Sequence, residues 1–293
     1  MSDFLTQSCS TSAENSGLQN CKSLDGRAER IWLVPKGTTV SSYANALLEA
    51  TWDTLFNAAA GTRGFPLPPI FNAEFEQGED TYDEGWSNKK EFASEGLDTD
   101  NYMLEPMSLY NAKNLRSYNG ARWAAYIVTD DNVIQGWTDD DTTFKPFDIL
   151  SFRVGKRSKA TGEEVEKVPI QITWSDPTQR EDYPAVVKPT WNAIEIDGIK
   201  DLKVTASSPT TAGVTLTIIG YDSLPHEGAV TADFAIYDST GTLVTVSDSS
   251  ETSAGVYALT ATLTSGTYTA GLKTQPNATT AYYETPTLAT FYT

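Results

Sequence analysis

Apolar and polar residues alternate most strictly in two segments, Leu150-Ser151-Phe152-Arg153-Val154 and Val168-Pro169-Ile170-Gln171-Ile172-Thr173-Trp174. A period of two residues predicts β-strands that bury one face and expose the other. The polar stretch between them, Lys156–Glu164, contains Thr161-Gly162 and predicts an exposed hairpin loop. Because Pro169 has no N–H to donate to a neighbouring strand, we expect a free sheet edge at that position.

The residues before this strand pair predict a mainly β domain, a sandwich or barrel with one or two helices. Further strands are predicted at Ile31–Val34, Phe71–Phe75, Trp123–Val128 and Val133–Trp137. The run Trp123–Val128 is almost continuously apolar, which is typical of a strand that is covered on both faces. We therefore expect this strand in the interior of the domain.

One long helix is predicted near 42–60. Ser41 or Ser42 can cap its start, and Gly61 follows its end. Its apolar face recurs at the helical period and comprises Ala44, Leu47, Leu48, Trp52, Leu55, Phe56 and Ala59. A shorter helix is predicted over Ser108–Tyr118, with Asn119-Gly120 as its stop.

The last hundred residues differ in composition from the rest of the chain, since they contain no Trp, no Cys and three Lys. Seven strands are predicted there, at Leu202–Ala206, Val214–Ile219, Val230–Tyr237, Leu243–Val246, Val256–Leu263, Thr267–Lys273 and Leu288–Tyr292. Short alternating strands at this spacing predict a β-sandwich. The predicted organisation is an extended N-terminal arm over 1–30, a β domain over 31–198 and a β-sandwich over 199–293.

The charge of the chain excludes some classes of partner. Lysine and arginine total 21 against 39 aspartate and glutamate, a net charge of −18. This argues against a DNA-binding face and against docking on anionic lipid. The N-terminus predicts no secretory signal, and no stretch approaches the roughly 18 apolar residues of a membrane span. We expect a soluble protein made in a cytoplasm, where Cys9 and Cys21 would be free thiols.

The C-terminal segment resembles the Ig-like domains appended to many bacterial-virus structural proteins and bacterial surface proteins. The resemblance rests on Ala254-Gly255-Val256-Tyr257-Ala258-Leu259-Thr260-Ala261-Thr262-Leu263, followed by Ser265-Gly266-Thr267-Tyr268-Thr269-Ala270-Gly271-Leu272. It implies an Ig-like sandwich over 199–293 that lacks the cysteine pair of antibody domains.

Residues 20–190 resemble the major tail tube proteins of long-tailed phages. Three features carry this resemblance: an N-terminal arm, a β-rich domain with one amphipathic helix, and the polar loop Lys156–Glu164 before a late strand. The helix stands earlier here than in that family. The resemblance implies a virion structural protein whose tail-tube-like domain self-associates into hexameric rings. The rings would contact other virion proteins and stack around an acidic channel that DNA passes without binding, with the Ig-like domain outside.

Residues suited to catalysis or metal binding are few. The only histidine, His226, lies in a turn of the Ig-like half, where we expect a surface residue rather than a general base. Nucleophile-elbow, Walker and Rossmann motifs are absent from the sequence. Asp130-Asp131 and Asp139-Asp140-Asp141 offer oxygen ligands for Ca²⁺ but lack the EF-hand spacing, and we interpret them as turns. We predict no enzyme activity, no metal site and no cofactor.

An acidic stretch between Glu74 and Asp100 holds ten acidic residues and two lysines. The candidate channel-lining or surface residues in it are Glu79, Asp80, Asp83 and Glu84. In this interpretation the carboxylates repel DNA phosphates. A carboxylate pair could instead hydrolyse a glycoside, with a sugar stacking on Trp86, Trp123, Trp137 or Trp174. A capsid decoration or head-fibre protein and a carbohydrate-binding adhesin are further alternatives.

Overall fold

The computed structural model describes residues 26–58, 61–84, 90–107, 109–120, 122–162, 165–220, 223–273, 283–284 and 287–293. The chain divides into two compact units, Met1–Asp197 and Gly198–Thr293, and the described residues of each form hydrophobic cores of their own. Most of the predicted arm over 1–30 lies outside the described residues, as do Cys9 and Cys21. The end of that arm was predicted wrongly, because the first strand begins at Ala28 rather than at Ile31.

Unit 1 is built on a curled, nine-stranded sheet, from which a two-stranded hairpin extends. The strands are β1 Ala28–Pro35, β2 Phe65–Pro66, β3 Ile70–Glu76, β4 Thr81–Glu84, β5 Lys90–Ser94, β6 Thr99–Leu104, β7 Trp123–Thr129, β8 Ile134–Trp137, β9 Phe147–Val154, β10 Val168–Trp174 and β11 Pro184–Val187. The order in the sheet is β11-β8-β7-β9-β10-β6-β3, and β1 pairs with both β2 and β7. The predicted mainly β fold is therefore confirmed.

The central strand β7 is buried along its whole length. Ala125 and Ile127 belong to the core that the sheet encloses as it curls, together with Trp174. The alternate residues Tyr126 and Val128 belong to a second core on the opposite face of the sheet. Burial on both faces explains why this strand is a continuous apolar run rather than an alternating one.

The second core is covered by two short helices, α1 Tyr43–Ala46 and α2 Glu49–Phe56. The prediction of a single helix near 42–60 was therefore wrong, because the structure has two separate helices there. The Nε1 of Trp52 donates to the carbonyl of Ala46 at 2.9 Å, and the Nε1 of Trp191 donates to the carbonyl of Leu47 at 2.8 Å. A continuous helix would use both carbonyls for its own backbone N–H groups. The two indoles thus stabilise the break.

Two further helices complete unit 1, α3 Leu109–Arg116 and α4 Thr178–Glu181, with a 3-10 turn at Ala193–Glu195. α3 lies within the predicted second helix, Ser108–Tyr118. The 3-10 turn is held to β1 by the buried Arg30, whose guanidinium donates to the carbonyls of Ile194 and Ile196. Burial lowers the pKa of Arg30, although Asp197 opposes that shift.

β10 is an interior strand, so the free edge predicted at Pro169 was wrong. The strand pairs with β9 on one side and with β6 on the other. Pro169 stands opposite Met103, and its carbonyl accepts the N–H of Gly155 at 2.8 Å, one residue beyond the ladder with β9. The N–H that Pro169 lacks would lie just past the end of this ladder. Its absence therefore costs about one hydrogen bond, and the sheet tolerates a proline at this interior position.

Unit 2 is a sandwich of two sheets. Its strands are β12 Lys200–Thr210, β13 Gly213–Gly220, β14 Phe234–Asp238, β15 Leu243–Val244, β16 Val246–Ser253, β17 Val256–Ala261, β18 Thr267–Leu272, β19 Tyr283–Glu284 and β20 Ala289–Tyr292. The orders are β16-β17-β13-β12-β19 and β15-β14-β18-β20. If the strands are lettered in chain order and β19 is left out, β16-β17-β13-β12 becomes D-E-B-A and β15-β14-β18-β20 becomes C′-C-F-G. This is the strand order of the Ig fold.

A tyrosine corner supports the Ig-like assignment. The hydroxyl of Tyr268, at the start of β18, donates to the carbonyl of Thr264 and accepts its N–H, both at 3.0 Å. This contact between the E–F turn and strand F is a hallmark of Ig sandwiches. Buried Ala270, two residues further on, occupies the position that holds a cysteine in antibody domains.

Two strand predictions in unit 2 were wrong. The predicted start at Val230 is followed by a 3-10 turn, Thr231–Asp233, and β14 begins only at Phe234. The edge strand β16 was not predicted beyond its first residue, because every residue after Val246 in Val-Ser-Asp-Ser-Ser-Glu-Thr-Ser is polar. Its backbone pairs with β17, so this strand forms without an apolar face of its own.

Candidate self-association surface

The described strands at the two ends of the unit 1 sheet order are β11, which begins at Pro184, and β3. Among the described strands β3 pairs with β6 alone. An edge strand presents unpaired N–H and C=O groups, and natural edges are usually protected by charged residues, especially lysine, by proline, by bulges or by a covering element. β3 contains neither lysine nor proline, its charged residues are Glu74 and Glu76, and its one irregularity is a bulge at its start, between Ile70 and Asn72. The remainder of this edge is therefore suited to pairing with another strand.

Between β3 and β6, the chain leaves the sheet and forms a separate two-stranded hairpin of β4 and β5. We call the described residues of this segment, 77–84 and 90–98, the hairpin extension. Its two strands pair with each other, and no other described strand pairs with them. A two-stranded hairpin is marginally stable by itself, because it has no covering layer. The extension is thus an element for which the described part of the chain supplies no packing partner strand.

Two glycines allow the chains of the extension to cross. A Cβ atom built on Gly96 would lie 2.2 Å from the carbonyl carbon of Gly78, which is far inside van der Waals contact. Two carboxylates stabilise the crossing: Asp98 accepts the N–H of Gly78 at 3.2 Å, and Asp80 accepts the N–H of Gly96 at 3.1 Å. Asp80 is therefore also a structural residue of the turn.

A buried polar cluster anchors the base of the extension to the sheet. The Oδ2 of Asp100 accepts hydrogen bonds from the Nε1 of Trp174 at 2.7 Å and from the hydroxyl of Tyr102 at 2.9 Å. Arg180 lies 3.8 Å from Asp100 and 3.5 Å from Asp98. Burial raises the pKa of Asp100, although Arg180 and the two hydrogen bonds oppose the shift. Four of the ten residues in the acidic stretch thus have hydrogen-bond partners within the unit: Glu76, Asp80, Asp98 and Asp100.

Aromatic side chains are exposed along β3 and the extension. Tyr82 and Phe92 stand opposite each other in the β4–β5 ladder, with ring centroids 6.0 Å apart, yet they remain 52% and 57% exposed. Phe75, on β3, is 61% exposed, and Phe71 is exposed by about half. Exposed apolar groups that cluster on one element mark interaction sites more often than scattered ones do.

The predicted acidic candidates all fall on this extension. Glu79 and Asp80 precede β4, and both are exposed. Asp83 and Glu84 lie in β4, where Asp83 is exposed. The fold therefore brings the four residues to one element, and their relation to a channel stays a prediction. The exposed aromatic residues beside them were missed, although the pattern of Phe and Tyr among acidic residues is visible in the sequence.

The remaining sequence candidates have ordinary structural roles. Asp140 accepts the N–H groups of Thr142 and Thr143 and so closes a turn, and these hydrogen bonds hold its pKa well below its usual range. His226 lies in a turn against β13, and burial lowers its pKa, although Asp233 and Glu251 oppose that shift.

The tryptophans proposed to stack on sugars differ in position. Trp123 and Trp174 are buried in the core, and Trp137 is half-buried beneath Lys145. Trp86 lies outside the described residues. Within the described ranges, no group of three or more His, Cys, Asp and Glu side chains is placed to hold a metal ion.

No helix in the described part of the chain is long and apolar enough to cross a bilayer. No protein-family model matches the sequence, and no curated protein matches it.

Proposed function

We propose that this chain is a non-enzymatic structural subunit that assembles with copies of itself through β3 and the hairpin extension. In the form that we favour, it is a phage tail tube subunit in the virion. Its first unit makes rings that stack around a channel, and its Ig-like unit is displayed outside. The net charge of −18 would let DNA pass through such a channel without binding.

One observation carries the proposal: a sheet edge without lysine or proline continues into a hairpin that is not paired with any other described strand and exposes more than half of Tyr82 and Phe92. Such an edge pairs readily with another chain, and the exposed rings supply apolar area for the contact. The Ig-like sandwich is consistent with a displayed module, although a fold by itself does not specify a function.

The test is a variant that removes the exposed rings, Phe75→Ser/Tyr82→Ser/Phe92→Ser. The matched control removes exposed apolar side chains of unit 2, Leu224→Ser/Val230→Ser/Leu243→Ser. Sedimentation velocity and electron microscopy should show that the wild type and the control assemble, whereas the ring variant stays monomeric. Loss of assembly in both variants, or retention of assembly in both, would contradict the proposed surface.

A further inference from the structure

The two ends of the β9-β10-β6-β3 sheet carry opposite charge. β10 runs from Val168 to Trp174, a distance of about 20 Å at a rise of about 3.3 Å per residue. The hairpin extension leaves the sheet at the Trp174 end, since Glu76 pairs with Thr99 and Thr99 pairs with Thr173. The loop between β9 and β10 leaves it at the opposite end, beside Val168.

The end with the extension is strongly acidic. Residues 74–98 contain nine acidic residues and two lysines. In the described part of this stretch, Glu79, Asp83 and Glu95 are exposed, and no described lysine or arginine side chain places a nitrogen within 4 Å of them. The register also places Asp83 opposite Glu91, so two acidic residues occupy one cross-strand pair. The extension therefore carries negative charge that the described residues do not neutralise.

The opposite end is basic. It includes α3 as well as the β9–β10 loop, because Asn119, just after α3, accepts the N–H of Val154 at 2.7 Å. Residues 105–116 and 153–167 together contain seven basic and four acidic residues. Two of those acids, Glu163 and Glu164, lie outside the described residues, and Glu166 is bonded to Arg157 at 2.8 Å.

Five cations at this basic end are exposed and have no described carboxylate within 4 Å: Lys113, Arg116, Arg153, Lys156 and Lys159. A chain of net charge −18 repels its own copies unless their contact brings opposite charges together. The acidic extension and the basic end are complementary in sign, and they leave the sheet at opposite ends of β10. Two copies can therefore bring the acidic end of one against the basic end of the other.

We infer that the hairpin extension of one copy docks on the basic end of the next copy, in a head-to-tail contact. The inference rests on the proposed self-assembly and specifies its polarity and partner. In a head-to-tail contact the two patches of one copy meet two different neighbours, so the contact is heterologous and builds a closed ring or an open filament, whereas a two-fold dimer would pair both patches of the same two copies. It gives Glu79 and Asp83 a partner in the neighbouring subunit instead of a place facing a channel.

The test reverses the charge of each patch separately. The first variant is Glu79→Lys/Asp83→Lys/Glu95→Lys, and the second is Arg153→Glu/Lys156→Glu/Lys159→Glu. Asp80 is left unchanged because it closes the crossing of the extension. We expect each variant alone to need at least about 100-fold more protein to assemble, because like charges then meet across the contact. A mixture of the two should assemble again, with the variants alternating.

A control variant makes the same charge change as the first variant on exposed acids elsewhere, Asp131→Lys/Glu195→Lys/Glu227→Lys, and should assemble like the wild type. Restoration in the mixture as rings or filaments supports the inference. Assembly that survives both reversals, or a mixture that stays monomeric, overturns it while leaving the proposed function intact. Restoration as closed dimers alone overturns the head-to-tail polarity. A wild-type chain that never assembles overturns the proposed function itself.

Discussion

Replacing Asp100 tests whether the buried cluster at the base of the extension acts through its hydrogen-bond acceptor. In Asp100→Leu, the indole of Trp174 and the hydroxyl of Tyr102 both lose their acceptor inside the core. A buried donor without a partner costs about 1–3 kcal/mol, so two of them predict a loss of about 2–6 kcal/mol in the free energy of unfolding of unit 1. Asp100→Asn keeps an acceptor oxygen and should lose about 2 kcal/mol less than the leucine variant.

The assay is urea unfolding followed by tryptophan fluorescence. All seven tryptophans precede residue 199, so the signal reports unit 1 without interference from the Ig-like unit. With an m-value of about 2 kcal/mol per M, a loss of about 4 kcal/mol lowers the midpoint by about 2 M urea. Equal midpoints for the leucine variant and the wild type would refute the reasoning.

The pH dependence gives a second check on Asp100. Since burial raises its pKa in the folded state, the protonated form is favoured by folding, and the stabilisation is complete below the ordinary value of 3.8. It is lost as the pH rises through the raised pKa. The difference in unfolding free energy between the wild type and Asp100→Asn should therefore change across that interval and be constant well above it. A difference that is constant from pH 3 to pH 8 would contradict this account.

Three further outcomes are expected. Gly96→Ala should abolish assembly because its Cβ meets the backbone of Gly78, whereas Gly162→Ala, where nothing lies within 4 Å, should assemble normally; equal behaviour in sedimentation would contradict this. Tyr268→Phe should destabilise unit 2 by about 1–3 kcal/mol in calorimetry, since the hydrogen bonds of its hydroxyl to Thr264 are lost, and should leave the tryptophan-monitored transition unchanged. Backbone hydrogen bonds lower the pKa of Glu251, so its stabilising contribution should disappear as the pH falls below 4.5, and a Glu251→Gln variant should lack that slope.

Strands with a buried face could be predicted from the sequence, because burial imposes a period that local composition records. β10 matches its predicted bounds, and the continuous apolar run of β7 predicted a strand covered on both faces. β16 could not be found in this way, since its pairing uses backbone groups that every residue carries. The break between α1 and α2 depends on Trp191, which lies 144 residues from the carbonyl that it binds, and no local pattern records that contact.

The candidate surface was predicted in part. The acidic stretch identified the extension, but sequence alone could not separate Asp98 and Asp100, which have internal partners, from exposed residues such as Asp83. The proline rule placed a free edge on β10, whereas β10 is an interior strand and the ends of the sheet order are β3 and β11. Which strand is outermost depends on long-range pairing, and a single proline can be accommodated where a ladder ends.

The central claim is that this chain assembles with itself, and the most direct test is negative-stain electron microscopy of the purified full-length protein over a concentration series, paired with sedimentation velocity. The account predicts hollow rings or stacked tubes whose abundance rises with concentration. Dispersed monomers at every concentration, with no rings or tubes, would contradict it.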